Sequence, residues 1–195
     1  MKEKFITIHS TCVPLEIENI DTDQIIPARF LKATDKIGFG KNLFADWRYQ
    51  SNGEENKDFI LNNPAYNGAI LLAGKNFGCG SSREHAAWAI AGYGFRVVIS
   101  SYFADIFRNN ALNNSILPII VSEDDLSMLF DKVKSNPATQ LQIDLPSQTV
   151  TLSDNSWSCS FEINPYKKEC LLKGYDDIDF ALSNRLLIEE WEKKA

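Results

Sequence analysis

Ala69-Ile70-Leu71-Leu72-Ala73 runs directly into Gly74-Lys75-Asn76-Phe77-Gly78-Cys79-Gly80-Ser81-Ser82-Arg83-Glu84-His85-Ala86-Ala87-Trp88-Ala89-Ile90, and the junction between the two strings sets the kind of fold. The apolar pentad has the length and bulk of a buried strand. From Arg83 to Ile90, Ala, Trp and Glu support helix without interruption. Strand, glycine-rich turn, helix is therefore the expected order. Gly78 and Gly80 can take positive φ and leave room for close backbone approach, while the N–H groups and dipole of the first helical turn favour negative charge in front of Ser81 and Ser82. Arg83 adds a planar cation. A structural reading stands beside this one: Ser81 followed three residues later by Glu84 fits a capping box, although a cap does not account for the whole string. The motif is not a P-loop, a dinucleotide fingerprint or a hydrolase elbow, because it lacks the Gly-Lys-Ser/Thr, the third glycine and the Gly-x-Ser-x-Gly of those signatures.

Working outward, strand 69–73, helix 82–91, strand 95–100, helix 102–112 and strand 117–121 give βαβαβ, which calls for parallel strands. Upstream, residues 5–9 and 13–17 read as short strands, and Asn19–Pro27 as a loop anchored by Ile20, Ile25 and Ile26. Residues 28–68 have weak periodicity and read as a long, partly helical excursion outside the core. Downstream, Ser122 caps a helix whose Leu126, Leu129, Phe130 and Val133 form a core-facing stripe ending near Pro137. Residues 139–163 switch to period two, the pattern of a small antiparallel meander. From Asp176 to Lys194, Ile178, Ala181, Leu182 and Leu186 fall at helical spacing, predicting one amphipathic helix. The whole, 1–195, is expected to form a single α/β domain.

With 44% hydrophobic and 24% charged residues the chain lies within globular limits. No apolar run approaches the roughly 18 residues that span a bilayer, and no secretory signal opens the sequence, so a cytoplasmic protein is expected. A net charge of −6 argues against general nucleic-acid binding, so a small anion must be held by local cations such as Arg83. Cys12, Cys79, Cys159 and Cys170 show no compact ligand spacing, and buried or inert thiols are the ordinary reading. Cys79 is the one thiol inside the glycine turn, where a helix N-terminus is able to lower a thiol's pKa, but a packing role is the reading preferred for it. His85 lies four residues after Ser81, which opens a serine–histidine hydrolase reading, but no third orienting group is evident.

Gly80-Ser81-Ser82-Arg83-Glu84-His85 resembles the signature of the aconitase superfamily's swivelling domain, in particular the family of free-standing small subunits of bacterial 3-isopropylmalate dehydratases. Three further segments carry the resemblance in the same order: Asn19-Ile20-Asp21-Thr22-Asp23-Gln24-Ile25-Ile26-Pro27, Leu43-Phe44-Ala45-Asp46-Trp47-Arg48, and Ser101–Ala111. The resemblance implies a swivelling β/β/α domain with a mainly parallel sheet, flanking helices and a small antiparallel meander. It also implies a hydro-lyase of leucine biosynthesis that moves a hydroxyl between neighbouring carbons of a small dicarboxylate through an alkene.

By position in that motif, Ser81 corresponds to the catalytic base, Ser82 and Arg83 to substrate-binding groups, and Asp23 to an active-site acid. Asp23 also reads as a turn-forming residue. Arg29 is a further substrate-binding candidate, though its spacing departs from that of the aconitases. Phe30, Leu31, Ile37 and Phe39 are expected to supply an apolar wall for an isopropyl group. The four-iron four-sulfur cluster of this superfamily is expected on a large subunit, since this chain presents no recognisable cysteine set for it and no metal site of its own. The partners implied are that subunit, in a heterodimer or a dimer of heterodimers, and a small dicarboxylate. Related hydro-lyases acting on homoaconitate, citraconate or dimethylmalate, and a non-catalytic anion-binding module, are the alternatives.

Overall fold

In the computed structural model, which describes residues 2–193, the strands are β1 (Thr7–Leu15), β2 (Ile70–Ala73), β3 (Val97–Ser100), β4 (Leu117–Ile120), β5 (Gln140–Asp144), β6 (Thr149–Leu152) and β7 (Ser158–Ser160). They join in one sheet of order β4-β3-β2-β1-β5-β6-β7. The first four in that order pair in parallel, and the meander pairs antiparallel. The α/β class with a parallel sheet and an antiparallel meander is thus as expected, with the difference that the meander continues the same sheet.

β1 makes that continuity. Sequence reading expects two strands over 5–9 and 13–17, but a single nine-residue strand forms. Its first part pairs antiparallel with β5, from Thr7 opposite Asp144 to Thr11 opposite Gln140. Its last part pairs in parallel with β2, from Cys12 opposite Ile70 to Leu15 opposite Ala73. Burial changes at the same point, from a half-exposed first stretch to a fully buried second one. That change of pattern within one strand is what reads as a break.

β2 is buried on both faces, as expected where helices cover a parallel sheet. Its alternate residues feed two cores. Leu71 and Ala73 join Val13, Leu15 and Val98 on one face, and Ile70 and Leu72 join Cys12, Val97, Ile99 and Leu117 on the other. Each such side chain contributes on the order of 1.5–3 kcal/mol by leaving water. The helices are α1 (Thr22–Ile25), α2 (Ala45–Arg48), α3 (Glu84–Tyr93), α4 (Asp105–Asn113), α5 (Glu123–Ser135), α6 (Pro165–Lys173), α7 (Asp177–Ser183) and α8 (Arg185–Glu192). α3 and α4 pack on the first face. α5 covers the second with Leu126, Leu129, Phe130 and Val133, the expected stripe, and Ser122 caps it through Asp125 N–H at 3.0 Å.

Three expectations are corrected. The tail is two helices rather than one, because Asn184 is the C-cap of α7 and stands before α8; Lys194 lies outside the described residues. α6 is an additional helix, started by Asn164 as N-cap and Pro165 at its first position. The excursion of residues 28–68 does contribute to the core: Phe39, Leu43, Phe44, Phe59 and Leu61 are buried in it. Arg48 is buried there too, donating from Nε to Asn62 Oδ1 at 3.1 Å, its guanidinium 4.8 Å from the Tyr93 ring. The excursion meets α3 backbone to backbone, since a Cβ on Gly40 would lie 2.1 Å from the carbonyl carbon of Gly92.

Candidate functional site

β1, β2 and β3 run in parallel, so their C-terminal ends share one edge of the sheet, the edge where open α/β sheets place ligands. The connections that leave those ends remain stitched together. Asn19 N–H donates to the Lys75 carbonyl at 2.8 Å, Gly78 N–H to Ile20 at 2.8 Å, Thr22 N–H to Cys79 at 3.0 Å and Asn76 N–H to Tyr102 at 3.0 Å. The buried Ser100 hydroxyl donates to the Gly74 carbonyl at 2.8 Å. Gly78 has φ 77° and lies so close to α4 that a Cβ would fall 2.2 Å from Phe107 Cγ, so both conformation and space require glycine there.

This stitching delivers Ser81 to Thr22 from 59 residues away. The two hydroxyl oxygens lie 3.2 Å apart, and Thr22 Oγ1 is also 3.1 Å from the Ser81 carbonyl, to which it can donate. Thr22 is 2% exposed, while Ser81 and Ser82 are open to solvent. Thr22 is itself held by a capping box at the start of α1: Asp21 Oδ1 accepts from Gln24 N–H and Gln24 Oε1 from Asp21 N–H, both at 2.8 Å. Nothing in the segment's residue types singles out Thr22. The Asp21-x-x-Gln24 spacing is the signal that marks its place.

Arg83 and Asp23 form an ion pair across the same junction. The arginine side chain is 19% exposed and the aspartate 56%, so the guanidinium is the fixed partner and the carboxylate the solvent-side one. The expected capping box of Ser81 and Glu84 is absent, because α3 begins at Glu84 with Arg83 as N-cap and both serines precede it. Glu84 instead accepts from Trp88 Nε1 at 3.0 Å and Asn114 Nδ2 at 3.2 Å, and the tryptophan bond in particular holds its carboxyl below the usual carboxylate range.

His85 bonds the Ala33 carbonyl at 3.2 Å and packs 4.4 Å from the Trp88 ring, so it is engaged away from Ser81. The Cys79 thiol is raised rather than lowered, by burial first and then by the Asp21 carboxylate. Its thiol faces the Asn19 carbonyl at 3.4 Å.

The remaining candidates make contacts of their own. Arg29 pairs with Asp46 at 2.5 Å, a hydrogen bond that raises its pKa, and with Phe30, Lys41, Asp46 and Tyr49 it lines a cleft of about 610 Å³ in the excursion. Phe30 and Leu31 are half-buried against the core. Ile37 is 93% exposed, whereas Phe39 is 4% exposed and packs its ring on His85 and Trp88. The four do not form one apolar wall, because Phe39 completes the core on which Phe30 and Leu31 rest, while Ile37 faces solvent.

The four cysteines sit on β1, the glycine turn, β7 and α6, and burial pushes Cys12 up to about 12. Among the described residues no three His, Cys, Asp or Glu side chains converge as a metal site requires, so the donor set of this chain does not fit an iron–sulfur cluster. Also among the described residues, no helix is long and apolar enough to cross a membrane.

Residues 2–124 match the family model described as the aconitase C-terminal domain, and residues 127–165 match one described as LeuD_N. A Cytophaga hutchinsonii protein named 3-isopropylmalate dehydratase small subunit is 62% identical over 193 residues, 99% of this chain and 96% of that protein. An Azobacteroides pseudotrichonymphae protein of the same name is 62% identical over 194 residues, 99% of this chain and 98% of its own length. Among solved structures, the crystal structure of 3-isopropylmalate dehydratase (leuD) from Methanocaldococcus jannaschii superposes with a TM-score of 0.68 at 27% identity, covering 96% of this chain and 99% of that one.

Proposed function

Since the chain belongs to the family of 3-isopropylmalate dehydratase small subunits, built on the aconitase C-terminal domain, we propose that it is the small half of a two-subunit hydro-lyase of leucine biosynthesis. The reaction interconverts 2-isopropylmalate and 3-isopropylmalate through isopropylmaleate. The observation that carries this reading is the junction of Ser81, Thr22, Arg83 and Asp23 at the C-terminal ends of the parallel strands, within a chain that matches its relatives over nearly its full length.

Ser81 takes the proton from the carbon beside a substrate carboxylate as the hydroxyl leaves the neighbouring carbon, and the alkene forms. Re-addition of water in the opposite sense gives the isomer. An ordinary serine hydroxyl is a poor base, so the oxygen needs donors when deprotonated, and Thr22 Oγ1 at 3.2 Å supplies one when its single proton turns from the Ser81 carbonyl to the Ser81 side-chain oxygen. Arg83 binds a substrate carboxylate in the geometry its guanidinium favours, in place of the Asp23 carboxylate that now holds it. The exposed Ser82 hydroxyl adds a hydrogen bond to substrate. Phe30 and Leu31 contact the isopropyl group, Phe39 supports them from the core, and Ile37 joins them only once a partner covers it. We leave Arg29 outside the reacting group, as the clamp of the excursion's cleft.

The Lewis-acid half of the chemistry belongs to the iron–sulfur large subunit, with which this chain assembles as a heterodimer or a dimer of heterodimers in the cytoplasm. The whole chain, 1–195, acts there as one swivelling unit. The test is to reconstitute the purified chain with its large subunit under anaerobic conditions and follow the three isopropyl acids. Turnover is expected only in the mixture, and Ser81→Ala is expected to lower it by roughly three decades or more. Activity of the chain alone would overturn the two-subunit reading. A stable complex inert toward these acids yet active on homoaconitate, citraconate or dimethylmalate would reassign the substrate.

A further inference from the structure

Glu84 and His85 of the serine motif, and Trp88 one helical turn on, take no part in the reaction described above, yet all three meet the loop of residues 30–40. The His85 ring bonds the Ala33 carbonyl at 3.2 Å, and the Phe39 ring packs 5.8 Å from it and edge-on to Trp88 at 6.0 Å. Between those two anchors residues 34–38 are all exposed, Ile37 at 93%. Burial of apolar surface therefore does not hold this stretch.

Lys36 supplies the missing attachment. Its Nζ donates to Asn114 Oδ1 at 2.7 Å, lies 3.8 Å from Glu84 Oε1 and stands 4.9 Å from the centre of the Trp88 ring. The receiving groups are bound to one another without it. Glu84 Oε1 accepts from Trp88 Nε1 at 3.0 Å and from Asn114 Nδ2 at 3.2 Å, and Asn114, the C-cap of α4, also donates from Nδ2 to the Asn110 carbonyl at 2.9 Å. A half-exposed ion pair contributes little alone, but here one ammonium meets an anion, an amide oxygen and an aromatic face together. The neighbouring Asp35 is turned back on its own loop, accepting from Ile37 N–H at 3.0 Å.

Glu84 directly follows Arg83, the N-cap of α3, and stands three residues after Ser81. The socket for Lys36 and the reacting motif thus share the start of one helix. We propose that Lys36 is a positioning residue for substrate recognition: seated among Glu84, Trp88 and Asn114, it fixes residues 34–38 against the start of α3 and holds Ile37 where, in the assembled enzyme, it meets the alkyl group of the acid whose carboxylate Arg83 binds. The proposal rests on the function proposed above and adds what sets the alkyl preference.

The test compares the wild type with Lys36→Met, which keeps the stem and removes the charge, and with Lys36→Arg, which keeps a cation over Trp88. Hydrogen exchange of the full chain reads the loop. Hydration of isopropylmaleate and of citraconate, which carries methyl in place of isopropyl, by the chain reconstituted with its large subunit reads the chemistry. In Lys36→Met the amides of residues 34–38 are expected to exchange roughly tenfold faster, with those of α3 unchanged. KM for isopropylmaleate is expected to rise roughly fivefold with kcat within about twofold, and the preference over citraconate to fall by a similar factor. Lys36→Arg is expected to restore both. Wild-type exchange in Lys36→Met would overturn the attachment. Faster exchange with unchanged KM would overturn the positioning role, and an equal rise in KM for both acids would make Lys36 a ligand of their shared carboxylates and overturn it too. Each of these results leaves the two-subunit reading intact, whereas a wild-type mixture without turnover of either acid would overturn that reading and the positioning role with it.

Discussion

Thr22 carries the sharpest consequence of the junction, because its hydroxyl touches both the side chain and the carbonyl of Ser81 from a position that substrate need not reach. A hydrogen bond to a charged oxygen is worth about 1.5–3 kcal/mol. Thr22→Val should therefore lower kcat by roughly one to two decades with KM nearly unchanged, and Thr22→Ser should restore most of the loss. Steady-state kinetics of the reconstituted enzyme checks this. Gly78→Ala tests the turn itself. The added Cβ would meet Phe107 at 2.2 Å with φ at 77°, so a loss of roughly 2 kcal/mol or more is expected, read as a fall in the urea midpoint. Ser81 and Arg83 are legible in the sequence because a glycine turn announces them. Thr22 is not, because its meaning comes from a contact 59 residues away, made only when β1 and β2 lie side by side. Nor does sequence show that Asp23 binds Arg83 while Arg29 is drawn off by Asp46.

At the level of the element, α5 was readable in full. Its cap, its acidic first turn and its apolar repeat all point the same way, and its buried stripe is the expected one. Ser122→Ala should cost about 1 kcal/mol in chemical denaturation, the usual worth of such a cap. β1 and the tail were misread because local pattern competes with context. β1 changes partner in mid-strand, and Asn184 interrupts an otherwise continuous helical repeat. β1 also carries a titration. The Cys12 thiol, with an ordinary value of 9.0, is pushed up to about 12 by burial. Above pH 9 the unfolded chain ionises this thiol and the folded chain does not, so its contribution to stability is lost as pH rises toward 12. The slope is at most about 1.4 kcal/mol per pH unit. The stability gap between wild type and Cys12→Ala should accordingly narrow between pH 9 and 11 in urea titrations.

For the molecule as a whole, β1 belongs to both the parallel and the antiparallel half, so neither should unfold without the other. Trp88 reports on α3 and Trp157 on the meander side, where its indole bonds Asp125 at 2.7 Å. Retaining each tryptophan alone should give urea transitions with the same midpoint, and separated midpoints would divide the chain into two units. The sheet and its covering helices were largely legible because buried strands and striped helices leave strong periodic signals. The excursion was not, since its order comes from packing onto α3. There, Gly40 and Gly92 meet with no room for a carbon on Gly40. Anyone reshaping the loop from Phe30 to Gly40 must hold both glycines fixed, because a larger residue at either one would push on α3, the helix that begins just after Ser81 and Ser82. The freedom to rebuild that loop is thus bounded by two residues that have no side chain at all.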